Sequence, residues 1–591
     1  MKKEKNIEVG HVVTHTHWDR EWRYPIWRTR QMLVECFDLL LDTLDANPTY
    51  RAFLLDGQVV PVEDYLLIRP ENETRIKDAV KSGRLFIGPW YTLPDEFPID
   101  GECLVRNLLK GHRVAAKYGD VMKVGYTSFG WGQPAQLPQI YAGFGIDTVM
   151  FGKRVSRERA PKSEFLWESP DGTRVLTTRL GMFSRQNFYF TCVIPVCFGE
   201  DIIPNDITFD WLTGGLPFKP VDEEGAEMDY FRVTPHDTFH PEKLEQGVLD
   251  AWSTTEDTLV KSHRFMGDGC DFAYPQPTIS RIIEEANKLF DDRELRHSTL
   301  PEYMDALRES LNGEDLNVVR GELRDGPASS ATCNALATRS YIKFRNRHVQ
   351  NRLIRRAEPM AAMAYALGAE YPERFLELAW DYLLKSHPHD SINGVTQDKT
   401  AEDVMYRLSQ VGELASVIEN IASREILKRV NFGDGSTDDV YLALFNPLPF
   451  TRSEVIKVIA DTPAERDISI VTVEEDGRQM DVQRMACEDA VPLESDQNSR
   501  PRGFYATRHT FYMDTGDVPA GGYKILRITD SADTGEDWPL PESVDNSILV
   551  EPGVMENEYL RVEVNSDGTF DLTDKDTGRV YPGQLEFEDS G

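Results

Sequence analysis

The stretch HTHWDREW, His15 to Trp22, brings two imidazoles, a carboxylate and an indole together. His17 and Asp19 are two residues apart, and on an extended segment side chains at i and i+2 point to the same side. One nitrogen and one oxygen could then converge on a single cation, a mixture that zinc and related divalent ions accept. The competing reading is a pair of histidines satisfied as polar groups at a strand end.

A second cluster, HPHDSING, runs from His387 to Gly394. Phe375, Leu376, Leu378, Ala379, Leu383 and Leu384 recur before it at helical spacing. Pro388 is expected to stop that helix and leave His389 and Asp390 on an irregular turn. The alternative is a plain helix C-cap, where the dipole favours histidine. Around Trp90, Tyr91, Asp95, Glu96 and Phe97, rings lie beside carboxylates. That suits a sugar, whose apolar face stacks while its hydroxyls need acceptors. A core tryptophan with solvated acids would leave the same letters. Lys153-Arg154 could hold a hydroxyl or phosphate, or be a surface pair, and Cys270 could be a reactive thiol or a small buried residue.

These residues need elements to position them. Ile7, Val9, Val12 and Val13 read as a buried strand ending at Thr14. Met32 to Leu44 reads as a helix, and FLLDGQVV, from Phe53, as a strand with a polar tip at Asp56 to Gln58. Further strand-like runs at Arg84 to Ile87, Lys123 to Tyr126 and Thr148 to Phe151 alternate with helix-like segments such as Cys103 to Tyr118. That is the pattern of a parallel sheet with crossover helices, in a barrel-like or layered α/β domain. Ser184 to Thr255 reads as a loop-rich insertion over the site mouth, its aromatics available to substrate. RFMGDGCDF reads as a strand running into a tip, with turns made by Asp268 and Asp271 as the alternative. Residues 279 to 290 and 300 to 311 look helical, as does Ala331 to Arg429 with spacers near Glu370 and Gly394. Past Asn431, strand-like runs bounded by Gly, Pro and Asp-Gly turns predict a β-sandwich.

Together HTHWDREW and HPHDSI resemble the signatures of glycoside hydrolase family 38, the retaining α-mannosidases. GYTSFGWGQPAQLPQIYAGFGID (Gly125 to Asp147), GDGCDFAYPQP (Gly267 to Pro277) and WYTLPDEF followed by GECLVRNLL resemble further family segments, in the same order. The resemblance implies a (β/α) barrel-like catalytic domain over 1–295, a helical-bundle domain over 296–430 and a β-sandwich domain over 431–591. The sandwich is expected to be incomplete, because family members continue past the closing FEDSG. The resemblance also implies metal ligands His17, Asp19 and His389, with zinc first and cobalt or manganese as alternatives. It makes Trp22 a stacking ring, Asp390 a hydroxyl holder and Asp271 the acid/base. Burial beside Phe272 and Tyr274 would keep such an acid protonated.

The family's nucleophilic aspartate has no counterpart. An ungapped register puts Phe129 at its position, and a gapped one puts Thr127 there. A phenyl ring can neither attack carbon nor bind a metal, so double displacement through the usual two carboxyls cannot be written. Asp95, Asp268 or a metal-bound water are the replacements considered.

Acidic residues number 99 against 65 basic, a formal charge of -34, which argues against nucleic acid and anionic membranes as partners. MKKEKNIEVGH has no apolar h-region, and no run approaches the ~20 apolar residues of a membrane span. Seven cysteines without a Cys-x-x-Cys pair read as a reduced, cytoplasmic protein, with homo-oligomerisation left open. The leading expectation is a metal-dependent glycosidase cleaving terminal α-mannosyl residues from oligosaccharides or glycosides. The alternatives are a carbohydrate-binding protein on the same scaffold with hydrolysis lost, and a metal-dependent deacylase.

Overall fold

A computed structural model describes residues 7–127, 132–152, 155–180, 184–199, 238–325, 335–432, 439–480, 482–494, 500–530 and 548–587. Phe129, Lys153 and Arg154 lie outside the described residues. The fold is mixed α/β and divides into two compact units. One comprises Met1–Gly433 with Phe445–Thr451 and Pro519–Gly522, and the other the remainder.

The first unit is built on the strand Glu8–Thr16, which runs two residues beyond its expected end because His15 and Thr16 still pair with Leu54 and Leu55. Its sheet has the order Leu85–Phe86, Phe53–Leu55, Glu8–Thr16, His263–Asp268, and Arg293–His297 also pairs with Glu8–Val12. Every ladder in it is parallel. Parallel neighbours require crossovers, and helices such as Ile26–Ala46 and Glu73–Lys81 supply them. One consequence governs function: the residues following Thr16, Leu55 and Asp268 all emerge at the same edge of the sheet.

A second sheet has the order Val318–Arg320, Glu164–Glu168, Arg174–Arg179, Thr148–Phe151, Gly125–Thr127, and among the described residues the two sheets are separate ladders. Its Glu164–Glu168 and Arg174–Arg179 strands form an antiparallel hairpin within otherwise parallel pairings.

Helices begin where local chemistry allows. Asp100 accepts the Glu102 N–H ahead of Gly101–Tyr118, and Thr299 with Glu302 forms a capping box for Leu300–Ser310. Ser340–Arg352, Glu358–Ala366, Glu373–Leu384 and Asp398–Leu427 carry the expected helical region.

Two local expectations are corrected. Within the segment expected to be loop-rich, Tyr189–Val193, Ile194–Phe198 and Leu244–Ser253 are helical. Apart from Thr191 the first two are apolar, and they are mostly buried, so no amphipathic period marks them, and the aromatics Phe188, Tyr189 and Phe190 pack inside rather than lining a mouth. His389 and Asp390 do not sit on an irregular turn. They open a short helix, His389–Asn393, that follows Pro388 and ends at Gly394 in the left-handed region (φ 72°).

In the second unit, Val455–Pro463, Ala506–Asp514 and Val482–Ala490 form an antiparallel sheet. Val458, Phe511 and Met513 from it share a core with Val471, Val473, Leu526 and Ile528 from the facing strands, which makes a sandwich. A five-stranded antiparallel meander runs from Leu549 to Gln584.

Candidate metal centre and proton-donor site

At the shared edge of the parallel sheet the chain leaves Thr16 and continues through His17, which bridges Asp271 in parallel. His17 N–H donates to Cys270 O at 3.0 Å, and Phe272 N–H donates to His17 O at 2.8 Å. Close approach here depends on glycine. A Cβ on Gly269 (φ 156°) would stand 1.9 Å from His15 O, and one on Gly267 would stand 1.7 Å from Arg185 O.

His17, Asp19 and His389 converge, with one ligand atom from each lying within 4.8 Å of the others, and all three residues are buried. Asp19 Oδ1 is 3.1 Å from His17 Nε2 and 3.2 Å from His389 Nε2. The remaining ring nitrogens are tied elsewhere: His17 Nδ1 to Asp56 Oδ2 at 2.6 Å, and His389 Nδ1 to Leu93 O at 3.3 Å. A carbonyl can only accept, so His389 Nδ1 carries a proton and Nε2 is the atom turned toward Asp19. With His17 Nδ1 likewise tied to Asp56, the two Nε2 atoms and Asp19 Oδ1 face one point; a divalent cation would take the place of the protons there, with the outer hydrogen bonds already in place.

The electrostatics agree. Burial opposes charge on His389, but Asp390 and Asp19 outweigh it and push its pKa up to about 9. Burial likewise opposes charge on His17, and Asp19 and Asp56 still raise it well above the ordinary imidazole value. Burial also works against the Asp19 carboxylate, and the two imidazoles nevertheless hold its pKa far below the usual range. The pocket favours positive charge.

Around this set the other expected residues fall as follows. Asp271 is buried, and its Oδ1 accepts from Arg185 Nη2 at 2.8 Å, leaving Oδ2 outside that ion pair. Asp390 Oδ2 is 3.6 Å from His389 Nε2, and burial pushes its carboxyl well above the ordinary range. Trp22 is half-buried and roughly parallel to Phe272 at 6.5 Å, with the Arg23 guanidinium 4.6 Å over its ring, so a stacking sugar would share or displace that cation. Trp90 is wholly buried with its indole N–H donated to Tyr126 O at 3.1 Å, and its ring has no open face. Asp95 accepts from Phe97 N–H at 3.1 Å and from Asn393 Nδ2, tying it to the His389 helix, and burial raises its pKa. Asp268 is buried with Oδ1 unbonded, and its field falls on Tyr189, Cys192 and Cys197. Thr127 is buried, and its hydroxyl has no hydrogen-bond partner among the described residues.

Three contributors escaped the sequence reading: Asp56 behind His17, Arg185 on Asp271, and Glu21, which joins the two motifs. Asp56 carried a signal, a carboxylate before glycine at a strand tip, held at φ 47°. Arg185 carried none.

Known proteins resemble the chain throughout. The family described as "Glycosyl hydrolases family 38 N-terminal domain" matches residues 8–322. A Halalkalibacterium halodurans protein whose assigned name proposes a mannosylglycerate hydrolase is 28% identical across 99% of this chain. The crystal structure of an α-mannosidase from Enterococcus faecalis V583 superposes with a TM-score of 0.79 at 26% identity over 97% of the chain. A second Enterococcus faecalis protein of glycosyl hydrolase family 38 shares the fold, with a TM-score of 0.71 at 24% identity over 97% of this chain and 59% of its own. The chain spans 63% of the Halalkalibacterium relative and 61% of the Enterococcus mannosidase. No helix among the described residues is long and apolar enough to cross a membrane.

Proposed function

The chain belongs to glycosyl hydrolase family 38, and from that premise we propose that it is a metal-dependent glycosidase removing terminal α-mannosyl residues from oligosaccharides or small glycosides. The observation that carries this reading is the convergence of His17 Nε2, Asp19 Oδ1 and His389 Nε2 in a buried pocket beside Asp271. A divalent ion held by these three residues, zinc first and cobalt or manganese next, would supply Lewis-acid binding of adjacent sugar hydroxyls.

The chain's own residues do the rest. Asp390, buried next to His389, accepts from a sugar hydroxyl, and the half-exposed Trp22 offers its ring to the sugar's apolar face. Asp271 donates the proton to the leaving oxygen, with Arg185 fixing its orientation through Oδ1 and leaving Oδ2 for transfer. In this reading Phe129 does not attack, and the attacking group is another carboxylate, Asp95 or Asp268, or a water that the metal would activate. Asp95 is bonded to the His389 helix through Asn393, whereas Asp268 acts on the Tyr189 side. Residues 1–295 act as the barrel-like catalytic part, 296–430 as the helical part that delivers His389 and Asp390, and 431–591 as the sandwich. A cytoplasmic location belongs to the same reading and draws support from the described cysteines, all free and all buried except Cys487.

Hydrolysis of an activated aryl α-mannoside tests it, assayed with chelator and again with zinc, cobalt or manganese restored. Metal-restored turnover is the expected result. Mannose binding without turnover under every metal would replace this reading with a sugar-binding one.

A further inference from the structure

HTHWDREW and HPHDSING are joined by more than their shared ligand atoms. Glu21 is 1% exposed, and its carboxylate accepts from Ser391 Oγ at 2.7 Å, from Arg407 Nη1 at 3.1 Å and from Arg407 Nη2. Arg407, buried on the helix Asp398–Leu427, also directs Nε at Ser386 Oγ, 3.4 Å away. Beyond Glu21 the stitching continues. Trp22 O accepts from Thr396 Oγ1 at 2.7 Å and Gln397 N at 3.2 Å, and Arg23 O accepts from Gln397 Nε2 at 2.9 Å. The contacts bracket His389, with Ser386 before it and Ser391, Thr396 and Gln397 after it.

A buried carboxylate is costly unless paired, and a two-pronged guanidinium pair is directional as well as strong. The Glu21–Arg407 pair therefore admits one placement of the helical segment against the strand end. His389 depends on that placement, because its Nε2 must lie beside Asp19 Oδ1 while its own chain neighbours come from a part of the sequence some hundreds of residues away.

We propose that Glu21 is a positioning residue: through Ser391 and Arg407 it holds the His389–Asn393 helix in register with His17 and Asp19, and so sets the affinity of the metal pocket. The affinity part rests on the metal reading above, while the register part does not.

The test uses full-length wild type, Glu21→Gln and Ser391→Ala, each stripped with chelator. Backbone hydrogen exchange of the metal-free proteins reads the register, and cobalt(II) titration followed by its visible absorption reads the consequence. Both variants are expected to exchange faster over residues 386–397 with the rest of the chain unchanged. They should bind cobalt ~10- to 100-fold more weakly at unchanged stoichiometry, the usual cost of losing an outer partner. Wild-type exchange and cobalt affinity in Ser391→Ala, or in a folded Glu21→Gln, overturn the proposal. So does a general rise in exchange with cobalt affinity intact, which would mark Glu21 as a structural clamp only. If Glu21→Gln does not fold, Ser391→Ala decides alone. A wild type that takes up no cobalt refutes the metal reading, and the exchange contrast over 386–397 still decides the register.

Discussion

Asp56 Oδ2 lies 2.6 Å from His17 Nδ1 and also accepts from Trp18 N–H and Gln58 Nε2, so this fully buried carboxylate at one strand end orients an imidazole at the next. The arrangement fixes which ring nitrogen faces Asp19 and makes that nitrogen a better donor. Asp56→Asn keeps the shape and removes the charge. It is expected to weaken metal binding by ~10- to 100-fold while the protein stays folded, as read by competition against a chelating dye. Wild-type affinity in that variant would remove Asp56 from the site.

The two histidines of His-x-His look alike in sequence but differ in the fold. His15 gives its Nε2 to Arg185 O, and burial lowers its pKa to about 4, whereas His17 Nε2 faces Asp19. His17→Ala and His389→Ala are therefore expected to abolish stoichiometric metal, and His15→Ala to retain it. Elemental analysis after gel filtration decides this, and metal lost equally from all three variants would deny the ligand assignment.

That contrast shows what could be read from the sequence. Strand Glu8–Thr16 is legible as a short apolar run, which the fold buries on both faces, and helices such as Ile26–Ala46 because their apolar residues recur at helical spacing and the core packs that stripe. His17, Asp19 and His389 could be named from motifs, but the 3.2 Å approach of Asp19 to His389 is a product of tertiary packing that no local pattern encodes. Tyr189–Phe198 is opaque for the opposite reason: it is apolar except for Thr191, so helix and buried loop carry the same letters. Leu244–Ser253 carried a signal that the loop-rich expectation missed, since Leu244, Val248, Ala251 and Trp252 follow helical spacing and are buried. Arg185 contributes both a carbonyl to His15 and a guanidinium to Asp271, and neither role has a sequence signature.

A proton donor matters most when the leaving group is poor. Asp271→Asn is expected to slow hydrolysis of an unactivated mannoside by ~10²- to 10⁴-fold, the usual size of general-acid assistance, and a nitrophenyl mannoside far less. Comparing kcat/KM for the two substrates in wild type and variant separates donation from orientation. Equal losses on both would assign Asp271 to binding or structure instead.

Asp268 links burial to pH. Buried with Oδ1 unbonded, its carboxyl is pushed by desolvation from 3.8 up to about 7. The folded state thus holds a proton that the unfolded state releases above pH 4. Stability then falls as pH rises between about 4 and 7, since the slope follows protons bound unfolded minus protons bound folded, which is negative in that window. A shift of this size corresponds to an effect on the order of 4 kcal/mol. Asp268→Asn keeps a neutral polar group of the same shape at all pH values. It is expected to flatten this part of the pH dependence, so that its Tm gains on wild type as pH rises from 4 to 7. Thermal melts of the metal-free protein at half-unit pH steps measure it, and parallel curves for the two proteins would show that Asp268 titrates as an ordinary carboxylate.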